Sequence, residues 1–223
     1  MKDYSAFDIL GPIMVGPSSS HTAGAARLSR ISKEIAGSGF YKVEFLLHGS
    51  FAKTYRGHGT DKALVGGILG MAPDDENIKI SLEKAKKKNI EVSFEEIDLG
   101  YVHPNTVKII FKYKDDEDFY IIGSSIGGGN IIIMDINGNS VNFKADKPTI
   151  LLKYTDKPGI ISKITTIFAN NDLNIANMEV TREKKVATMI CELDSKIGSE
   201  VLEEISGIEE ILYKNSINPM ERW

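Results

Sequence analysis

The sequence predicts an α+β fold that is divided between two domains. Three observations support this prediction: helical spacing of apolar residues near the N-terminus, a two-residue period from Ile90 onward, and a second periodic unit after a polar stretch around Asp146. A chain of 223 residues can bury two modest cores. We therefore expect one domain over residues 1–145 and another over residues 148–223.

The first half of the first domain predicts two helices and a strand. Over residues 24–36, apolar side chains recur at spacings of three and four between charged ones, which is typical of an amphipathic helix. Residues 42–48 alternate apolar and polar side chains, which predicts a half-buried strand. Residues 61–71 are apolar almost all round and contain three glycines, so we expect a buried helix with close backbone contacts.

Several strands are predicted beyond Ile90. Alternating or apolar segments occur at residues 90–94, 107–113, 119–122 and 131–136. The turn Asn137-Gly138-Asn139 is a strong hairpin signal, so residues 131–136 should pair with residues 140–143. Helices followed by a run of strands indicate a mixed α+β domain.

The second domain has a regular order of elements. Strand, helix, strand, strand, helix and strand are predicted at residues 149–154, 159–170, 175–182, 186–193, 199–205 and 209–213. This βαββαβ order is that of a ferredoxin-like sandwich.

The charge distribution and the apolar segments of the sequence indicate which partners and which cellular location to expect. The net charge is -4 and the basic residues are scattered apart from residues 84–88, so nucleic acid is not expected as a partner. No apolar run approaches the length of a membrane span, and residues 1–9 lack a signal-peptide pattern. We expect a cytoplasmic protein with no membrane partner.

The single cysteine limits the metal chemistry of the chain. Cys191 cannot form an intramolecular disulfide, and it cannot by itself hold a metal cluster. It lies in an apolar run, where a small buried core residue is expected. The four histidines lack short metal-ligand spacing, so we expect no metal site in this chain.

The first polar motif is Gly16-Pro17-Ser18-Ser19-Ser20-His21-Thr22, which leads into the first predicted helix. Hydroxyl groups and free backbone amides at a helix N-terminus can hold a carboxylate or a phosphate. The alternative is a capping cluster, but one serine would suffice for a cap. The motif therefore favours a binding role.

The second and third motifs also lie between predicted elements. In Gly57-His58-Gly59-Thr60-Asp61, the flanking glycines present His58 at an open surface, where it could act as an acid or base or merely form hydrogen bonds. Residues 124–129 contain three consecutive glycines but lack nucleotide-binding spacing. They indicate either a plain turn or a backbone that another group approaches closely.

These motifs resemble the β subunit of the bacterial two-subunit L-serine dehydratase, in which a partner α subunit carries an oxygen-sensitive [4Fe-4S] cluster. The matching segments cover the whole first domain: residues 7–12, residues 16–22, Gly49-Ser50, Gly57-His58, Thr60-Asp61, His103 and residues 125–129. Single-chain members of the family carry a second histidine where this sequence has Gly59.

The resemblance implies conversion of L-serine to pyruvate and ammonia, with the cluster ligated by cysteines of the α subunit. That reaction needs a base for the α-proton and a Lewis acid for the leaving hydroxyl. His58 is the candidate base, and His21 is the other candidate catalytic residue. The residues expected to bind substrate are Ser18, Ser19, Ser20, Thr22, Thr60, Asp61, Ser125, Gly127 and Gly128.

The second domain resembles the ACT module, an amino-acid-binding regulatory unit. The resemblance rests on residues 155–159 and 172–178, and it implies an amino-acid effector, self-association of the module, or both. The expected effector-binding residues are Asp156, Gly159, Ile160, Asn174 and Ile175.

Two alternatives to an iron-sulfur dehydratase subunit are considered at this point, one regulatory and one enzymatic. In the first, the whole chain is a non-catalytic, amino-acid-binding regulatory subunit. A pyridoxal-phosphate dehydratase would instead require a Schiff-base lysine and a glycine loop opening a helix, and neither is evident.

Overall fold

A computed structural model describes residues 13–218 of the chain. The chain divides into two compact units, of which the first extends through Lys144 and the second starts at Ala145. The motif segment at residues 7–12 lies outside the described residues. Within residues 13–218, no helix combines the length and apolar character that a bilayer crossing requires.

From residue 13 onward, where the structure describes it, the first unit contains four α-helices and six strands. The helices are α1 (Ala25–Ala36), α2 (Gly49–Thr54), α3 (Thr60–Ile68) and α4 (Ser81–Lys87), with a π-helical turn at Ser19–Gly24 and a 3-10 helix at Glu76–Ile80. The strands are β1 (Lys42–Leu47), β2 (Glu91–Glu96), β3 (Thr106–Lys112), β4 (Phe119–Gly127), β5 (Asn130–Ile136) and β6 (Asn139–Phe143). The predicted α+β class is confirmed. Helix α2 was not predicted, because six residues are too few to show a helical period.

The six strands form one sheet in the order β2-β1-β3-β4-β5-β6. Strands β1 and β2 are parallel, and the other neighbouring pairs are antiparallel. The predicted hairpin is confirmed: Ile136 pairs with Asn139. The two residues between them, Asn137 and Gly138, have φ values of 50° and 86°, as a type I′ turn requires.

One face of this sheet is covered by helices. Val43, Phe45 and Leu47 alternate with half-buried residues along β1 and have no exposed surface. Helix α1 lies against β4, where a Cβ on Gly123 would stand 2.5 Å from Leu28 Cδ1. Helix α3 packs against α1 so tightly that a Cβ on Gly67 would stand 2.3 Å from the Ala26 carbonyl oxygen. The glycines of α3 therefore provide the close backbone contact that the sequence predicted.

The other face of the sheet carries a ladder of charges across β1 and β3. The Glu44 carboxylate forms ion pairs with Lys42 at 2.7 Å and with Lys112 at 3.5 Å. Lys112 also contacts Asp118 at 2.9 Å. Opposite charges on neighbouring strands stabilise the pairing modestly, and they keep this part of the sheet hydrophilic.

The second unit has the predicted βαββαβ order. Its elements are β7 (Thr149–Thr155), α5 (Ile160–Asn170), β8 (Ile175–Glu183), β9 (Val186–Leu193), α6 (Ser199–Ser206) and β10 (Ile211–Ile217). The strands form an antiparallel sheet in the order β10-β7-β9-β8. Both helices pack on one face, where Cys191 is fully buried in the core with Ile150, Ile164, Phe168 and Met189.

The last strand is displaced from its predicted position. We expected residues 209–213, whereas β10 spans Ile211–Ile217 and pairs with β7 along its length. Lys214, Asn215 and Ser216 interrupt the apolar pattern, but an edge strand is held by main-chain hydrogen bonds to its neighbour whatever its side chains are.

The contact between α1 and α3 gives a first testable prediction. Gly67→Ala should lower the free energy of unfolding by roughly 1–3 kcal/mol, because the added methyl group would overlap the backbone of α1. Gly57→Ala is the matched control, because a Cβ there would have its nearest neighbour at 3.8 Å. Urea denaturation measures both variants. Equal stabilities of the two variants would contradict the proposed packing constraint.

Candidate active site

The polar motifs of the first unit meet at one end of the six-stranded sheet. Strand β1 ends there at Leu47, which pairs with Val107 near the start of β3, and Thr106 pairs with Ser124 near the end of β4. The π-helical turn packs against β4 and α3 at this end. Four segments thus surround one region: residues 13–18, residues 48–59 with helix α2, residues 97–105, and residues 126–129 at the β4–β5 turn.

The serine motif folds as a short loop followed by the π-helical turn. Ser18 precedes the turn, and its hydroxyl oxygen accepts a hydrogen bond from the His21 main-chain N–H at 3.2 Å. The Ser20 carbonyl oxygen accepts a hydrogen bond from the Ser125 hydroxyl at 2.9 Å. Capping therefore explains Ser18, and π-helical turns frequently occur at functional sites.

His21 lies at the centre of the region, with only 8% of its surface exposed. Its Nδ1 lies 3.4 Å from the Ser18 hydroxyl oxygen, and its Nε2 lies 3.2 Å from the Ser50 hydroxyl oxygen. The His21 imidazole also makes an edge-to-face contact with the Phe51 ring, and the two ring centroids lie 5.3 Å apart. Contacts on both nitrogens and on the ring fix the orientation of the imidazole.

His58 lies beside His21 but faces solvent. It sits in the turn between α2 and α3, where its main-chain N–H donates to the Thr54 carbonyl oxygen at 3.1 Å. The side chain is exposed, and its ring centroid lies 4.8 Å from that of His21, with the two planes at 89°. Two motifs that are distant in the sequence thus contribute one exposed and one buried imidazole to the same region.

The electrostatics of the two histidines favour a neutral His21. Burial lowers the pKa of the His21 imidazole below its usual value, and the nearby His58 lowers it further. A hydrogen bond with the Ser50 main chain raises the pKa of His21, but by less than the other two effects lower it. At neutral pH, His21 is therefore uncharged, with one nitrogen available to donate a hydrogen bond and the other to accept one.

Two buried threonine hydroxyls adjoin the histidines in the sequence. Thr22 and Thr60 are 2% and 0% exposed, and neither hydroxyl has a hydrogen-bond partner among the residues described. A Cβ on Gly16 would stand 2.4 Å from Thr22 Oγ1, so the glycine is needed at that position. An unpaired buried hydroxyl is costly, and such groups are candidates for polar contacts with a ligand.

The remaining residues predicted to bind substrate have local structural contacts. Asp61 accepts a hydrogen bond from the Lys62 main-chain N–H at 2.8 Å in the first turn of α3. Gly127 and Gly128 have φ values of 100° and 60°, and a Cβ on Gly127 would meet nothing within 4 Å. The turn geometry therefore accounts for the positive φ of these glycines, and the alternative expectation, a close approach by another group such as a substrate, stays a prediction.

The other two histidines have structural roles in the loop at residues 97–105. His48 Nδ1 accepts a hydrogen bond from the Leu99 main-chain N–H at 3.2 Å. His103 Nδ1 accepts one from the Asn105 main-chain N–H at 3.1 Å. Both imidazoles organise the loop backbone.

Ser50 is a site residue that the sequence analysis did not select. It lies in α2, where its main-chain N–H donates to the Pro104 carbonyl oxygen at 2.7 Å and its hydroxyl contacts His21. The adjacent Gly49 has a φ of 58°, and a Cβ there would stand 2.7 Å from the same carbonyl oxygen. The sequence signal that could have identified Ser50 is the Gly49-Ser50 pair shortly after the buried strand β1.

The described residues do not fit an iron-sulfur cluster. Over residues 13–218, no group of three or more His, Cys, Asp or Glu side chains could hold a metal ion. Cys191 lies in the core of the second unit, where burial raises the pKa of its thiol to about 12. A protonated, buried thiol is not a metal ligand.

The second unit contains a separate cavity of about 330 Å³ at the end of β7. It is lined by Asp156, Lys157, Pro158, Gly159, Ile161 and Arg182. Two of the lining residues, Arg182 and Asp156, form an ion pair with a distance of 3.1 Å. Arg182 was not among the predicted residues, and Ile160, which was predicted, is buried and does not line the cavity.

The other two predicted effector residues lie elsewhere in this unit. Strands β7 and β8 both run antiparallel to β9, so Ile175 at the start of β8 lies at the Thr149 end of the sheet. Asn174 donates to Asp194 there at 2.7 Å. Asn174 and Ile175 are thus at the opposite end of the sheet from Asp156, and one copy of the chain does not bring the predicted set together.

Comparisons with known proteins agree on both units. The family "Serine dehydratase beta chain" matches residues 5–96, and the ACT domain family matches residues 149–210. The chain is 46% identical to the L-serine dehydratase beta chain of Peptoniphilus asaccharolyticus, over 94% of this chain and 96% of the relative. It is 40% identical to the probable L-serine dehydratase beta chain of Bacillus subtilis (strain 168), over 97% and 99%.

A further relative matches this chain over only a smaller part of the relative's own length. The D-3-phosphoglycerate dehydrogenase of Methanocaldococcus jannaschii is 26% identical over 84% of this chain, which corresponds to 36% of that enzyme. The two beta chains match at higher identity and over nearly their full length. The chain therefore belongs to the L-serine dehydratase beta chain family, and it carries an ACT domain at its C-terminal end.

Proposed function

We propose that this chain supplies the base and the substrate contacts for the deamination of L-serine to pyruvate and ammonia. The observation that carries the proposal is the histidine pair: an exposed His58 stands 4.8 Å from His21, which is buried and held by hydroxyl groups. A solvent-facing imidazole can reach a substrate, whereas a buried neutral one can orient its neighbour.

In this proposal His58 removes the α-proton of serine. The electron pair of the broken C–H bond forms the Cα=Cβ double bond, while the β-hydroxyl group departs with the electron pair of its C–O bond and takes a proton to become water. The resulting aminoacrylate tautomerises to an imine, and water hydrolyses the imine to pyruvate and ammonia. His21 acts as a positioning residue, because both of its ring nitrogens already contact serine hydroxyls.

The substrate carboxylate is assigned to the π-helical turn. Ser19 and Ser20 are half-buried on the turn beside His21, and Thr22 and Thr60 have buried hydroxyls without a described partner. Hydroxyl donors near a helix start suit an anion. Ser18 contributes indirectly, since its oxygen already accepts the His21 N–H.

The proposal assigns departure of the hydroxyl group to a partner α subunit. That subunit would carry a [4Fe-4S] cluster on its own cysteines, because the one cysteine of this chain is buried in the second unit. The names of the two beta chain relatives are consistent with such a partner.

The ACT domain is assigned a regulatory role with an amino acid as effector. The cavity at the end of β7 has an anionic group, Asp156, and a cationic one, Arg182, which match the ammonium and carboxylate groups of a free amino acid. Because Asn174 lies at the opposite end of the sheet, it could join this site only from a second copy of the chain. Self-association through the domain is therefore part of the proposal.

A second candidate function is a purely regulatory, amino-acid-binding subunit. The similarity to a phosphoglycerate dehydrogenase over 84% of this chain favours it, because a different enzyme carries a related segment. The two functions differ in the expected behaviour of His58, which a regulatory subunit would not need for turnover.

The role of His58 gives the second prediction. In the complex with the α subunit, His58→Asn should lower kcat by roughly two to four orders of magnitude, the range for loss of a general base. The melting temperature should not change, because the side chain is exposed. Serine deuterated at the α-carbon should give a larger isotope effect in this variant than in the parent chain.

His48→Asn is the matched control for that experiment. Its imidazole accepts the Leu99 N–H, so the substitution should lower the melting temperature while kcat changes only a few-fold. Near-normal turnover of His58→Asn with an unchanged isotope effect would remove His58 from the base role and favour the regulatory alternative.

Ser50 gives the third prediction. Ser50→Ala removes the hydroxyl at His21 Nε2 and should lower kcat by about tenfold, whereas Ser50→Thr should retain most activity because it keeps the hydroxyl. The ¹⁵N chemical shifts of the His21 ring should report a changed tautomer population in the alanine variant alone. Ser32→Ala, which removes a buried hydroxyl bonded to the Leu28 carbonyl oxygen, should leave both the kcat and the spectrum unaltered.

The cavity of the ACT domain gives the fourth prediction. Arg182→Gln should abolish any response of the complex to added amino acids, because the carboxylate would lose its cationic partner, and it should leave basal turnover unchanged. Lys214→Gln, an exposed position on the opposite edge strand, is the control. Turnover measured across a panel of amino acids tests both variants. A wild-type response in Arg182→Gln would exclude this cavity as the effector site.

A further inference from the structure

Tyr154 carries a buried hydroxyl group to which the second unit offers no hydrogen bond. The side chain is 1% exposed and belongs to the core of that unit. Its hydroxyl group has no hydrogen-bond partner among the residues that the structure describes. A polar group that stays unpaired in a core is costly, so its position needs a reason other than packing.

Strand pairing places Tyr154 beside two of the residues that line the cavity at the end of β7. Tyr154 on β7 and Arg182 on β8 both pair with Ala187 of β9, so the three residues form one row across the sheet. Residues in one row point to the same face of a sheet, which here is the face that the helices cover. Asp156 joins this row through its ion pair with Arg182.

Both charges of the cavity act on the Tyr154 hydroxyl group. Adjacent strands are about 4.8 Å apart, so the Cα atoms of Tyr154 and Arg182 lie roughly 10 Å apart, with only the Ala187 methyl group between their side chains. Burial raises the pKa of the Tyr154 phenol, the Asp156 carboxylate raises it further, and Arg182 lowers it. At neutral pH the hydroxyl group is therefore protonated, and it can both donate and accept a hydrogen bond.

A bound amino acid would separate the two charges that lie beside Tyr154. In this structure Asp156 and Arg182 pair with each other at 3.1 Å. An ammonium group takes Asp156 as its partner and a carboxylate group takes Arg182, so the α-carbon of the ligand lies between them. The remaining substituent is the side chain of the ligand, and the nearby polar group that has no described partner is the Tyr154 hydroxyl.

We propose that Tyr154 selects the effector of the ACT domain, and that this effector is an amino acid with a short side chain that ends in a hydroxyl or carboxamide group. The inference rests on the proposed regulatory role of the domain, to which it adds the class of effector. A site that hydrogen-bonds a polar group rejects the analogue without it, because the group of the site is then left unpaired. A charged side chain is rejected as well, since a neutral phenol cannot compensate a buried charge.

The test is calorimetric titration of the full chain with two pairs of amino acids of similar shape, serine with alanine and asparagine with leucine. In at least one pair, the parent chain should bind the polar member about tenfold more tightly, the effect of one buried hydrogen bond. Tyr154→Phe should bring this ratio close to one without lowering the melting temperature, because it removes only an unpaired hydroxyl group. Binding that persists in Arg182→Gln is assigned to the first unit and subtracted.

Tyr213→Phe is the matched control, because it removes a phenol hydroxyl group from the other face of the same sheet. Tyr213 pairs with Lys153, the neighbour of Tyr154 on β7, and its hydroxyl oxygen accepts a hydrogen bond from Asn215 at 3.2 Å. Its affinity ratios should equal those of the parent chain.

Parent-like affinity ratios in Tyr154→Phe would overturn the inference. So would a parent chain that binds the two members of each pair equally. Equal weakening of both members in Tyr154→Phe would also overturn it, since the hydroxyl group would then contact the ammonium or carboxylate group that all amino acids share. The proposed effector role fails in a different way, namely if the parent chain binds no amino acid beyond the level of Arg182→Gln, and the inference then fails with it.

Discussion

Close backbone contact at four glycines is the constraint on which the architecture of the first unit depends. Gly67 lets α3 lie directly on α1, and Gly24 leaves room for the Ser125 hydroxyl, which a Cβ would approach to 1.9 Å. Gly49 lies against the Pro104 carbonyl, and Gly16 lies over Thr22. Interiors are packed to near-crystalline density, so a single methyl group at any of these points would push one loop away from the next. The histidine pair exists because the loops that carry it can approach so closely.

The two imidazoles differ in burial, and the roles proposed for them follow from that difference. His21 contacts a hydroxyl at each ring nitrogen and a phenyl ring at its edge, and its pKa is lowered, so its protonation and orientation are fixed. His58 stands between two glycines at the surface, and its exposed ring contacts His21 edge to face. A proton acceptor must exchange its proton with its surroundings in every cycle, which suits the exposed ring, whereas orientation is better secured by the buried one.

Periodicity in the sequence predicted the elements with one strongly buried face, such as α1, β1 and the βαββαβ unit. It failed for α2, which is too short for a period, and for the end of β10, where main-chain pairing outweighs side-chain polarity. The site was predicted as separate motifs. Their juxtaposition follows from long-range packing that no local pattern encodes, and for this reason Ser50 and Arg182 were missed. Strand direction likewise separated Asn174 from Asp156, although their motifs are typical of one binding site.

The strand order of the first sheet has a consequence for synthesis on the ribosome. Strand β1 is flanked by β2 and β3, and it is made long before either: Lys42 pairs with Glu91 on one side and Lys112 on the other. At about 5–20 residues per second, both edges of β1 stay open for several seconds while the intervening helices emerge. Open edges invite pairing with other chains, and charged side chains discourage it. Lys42 and Glu44, which later join the charge ladder of the finished sheet, therefore also protect the nascent chain from aggregation before β3 arrives.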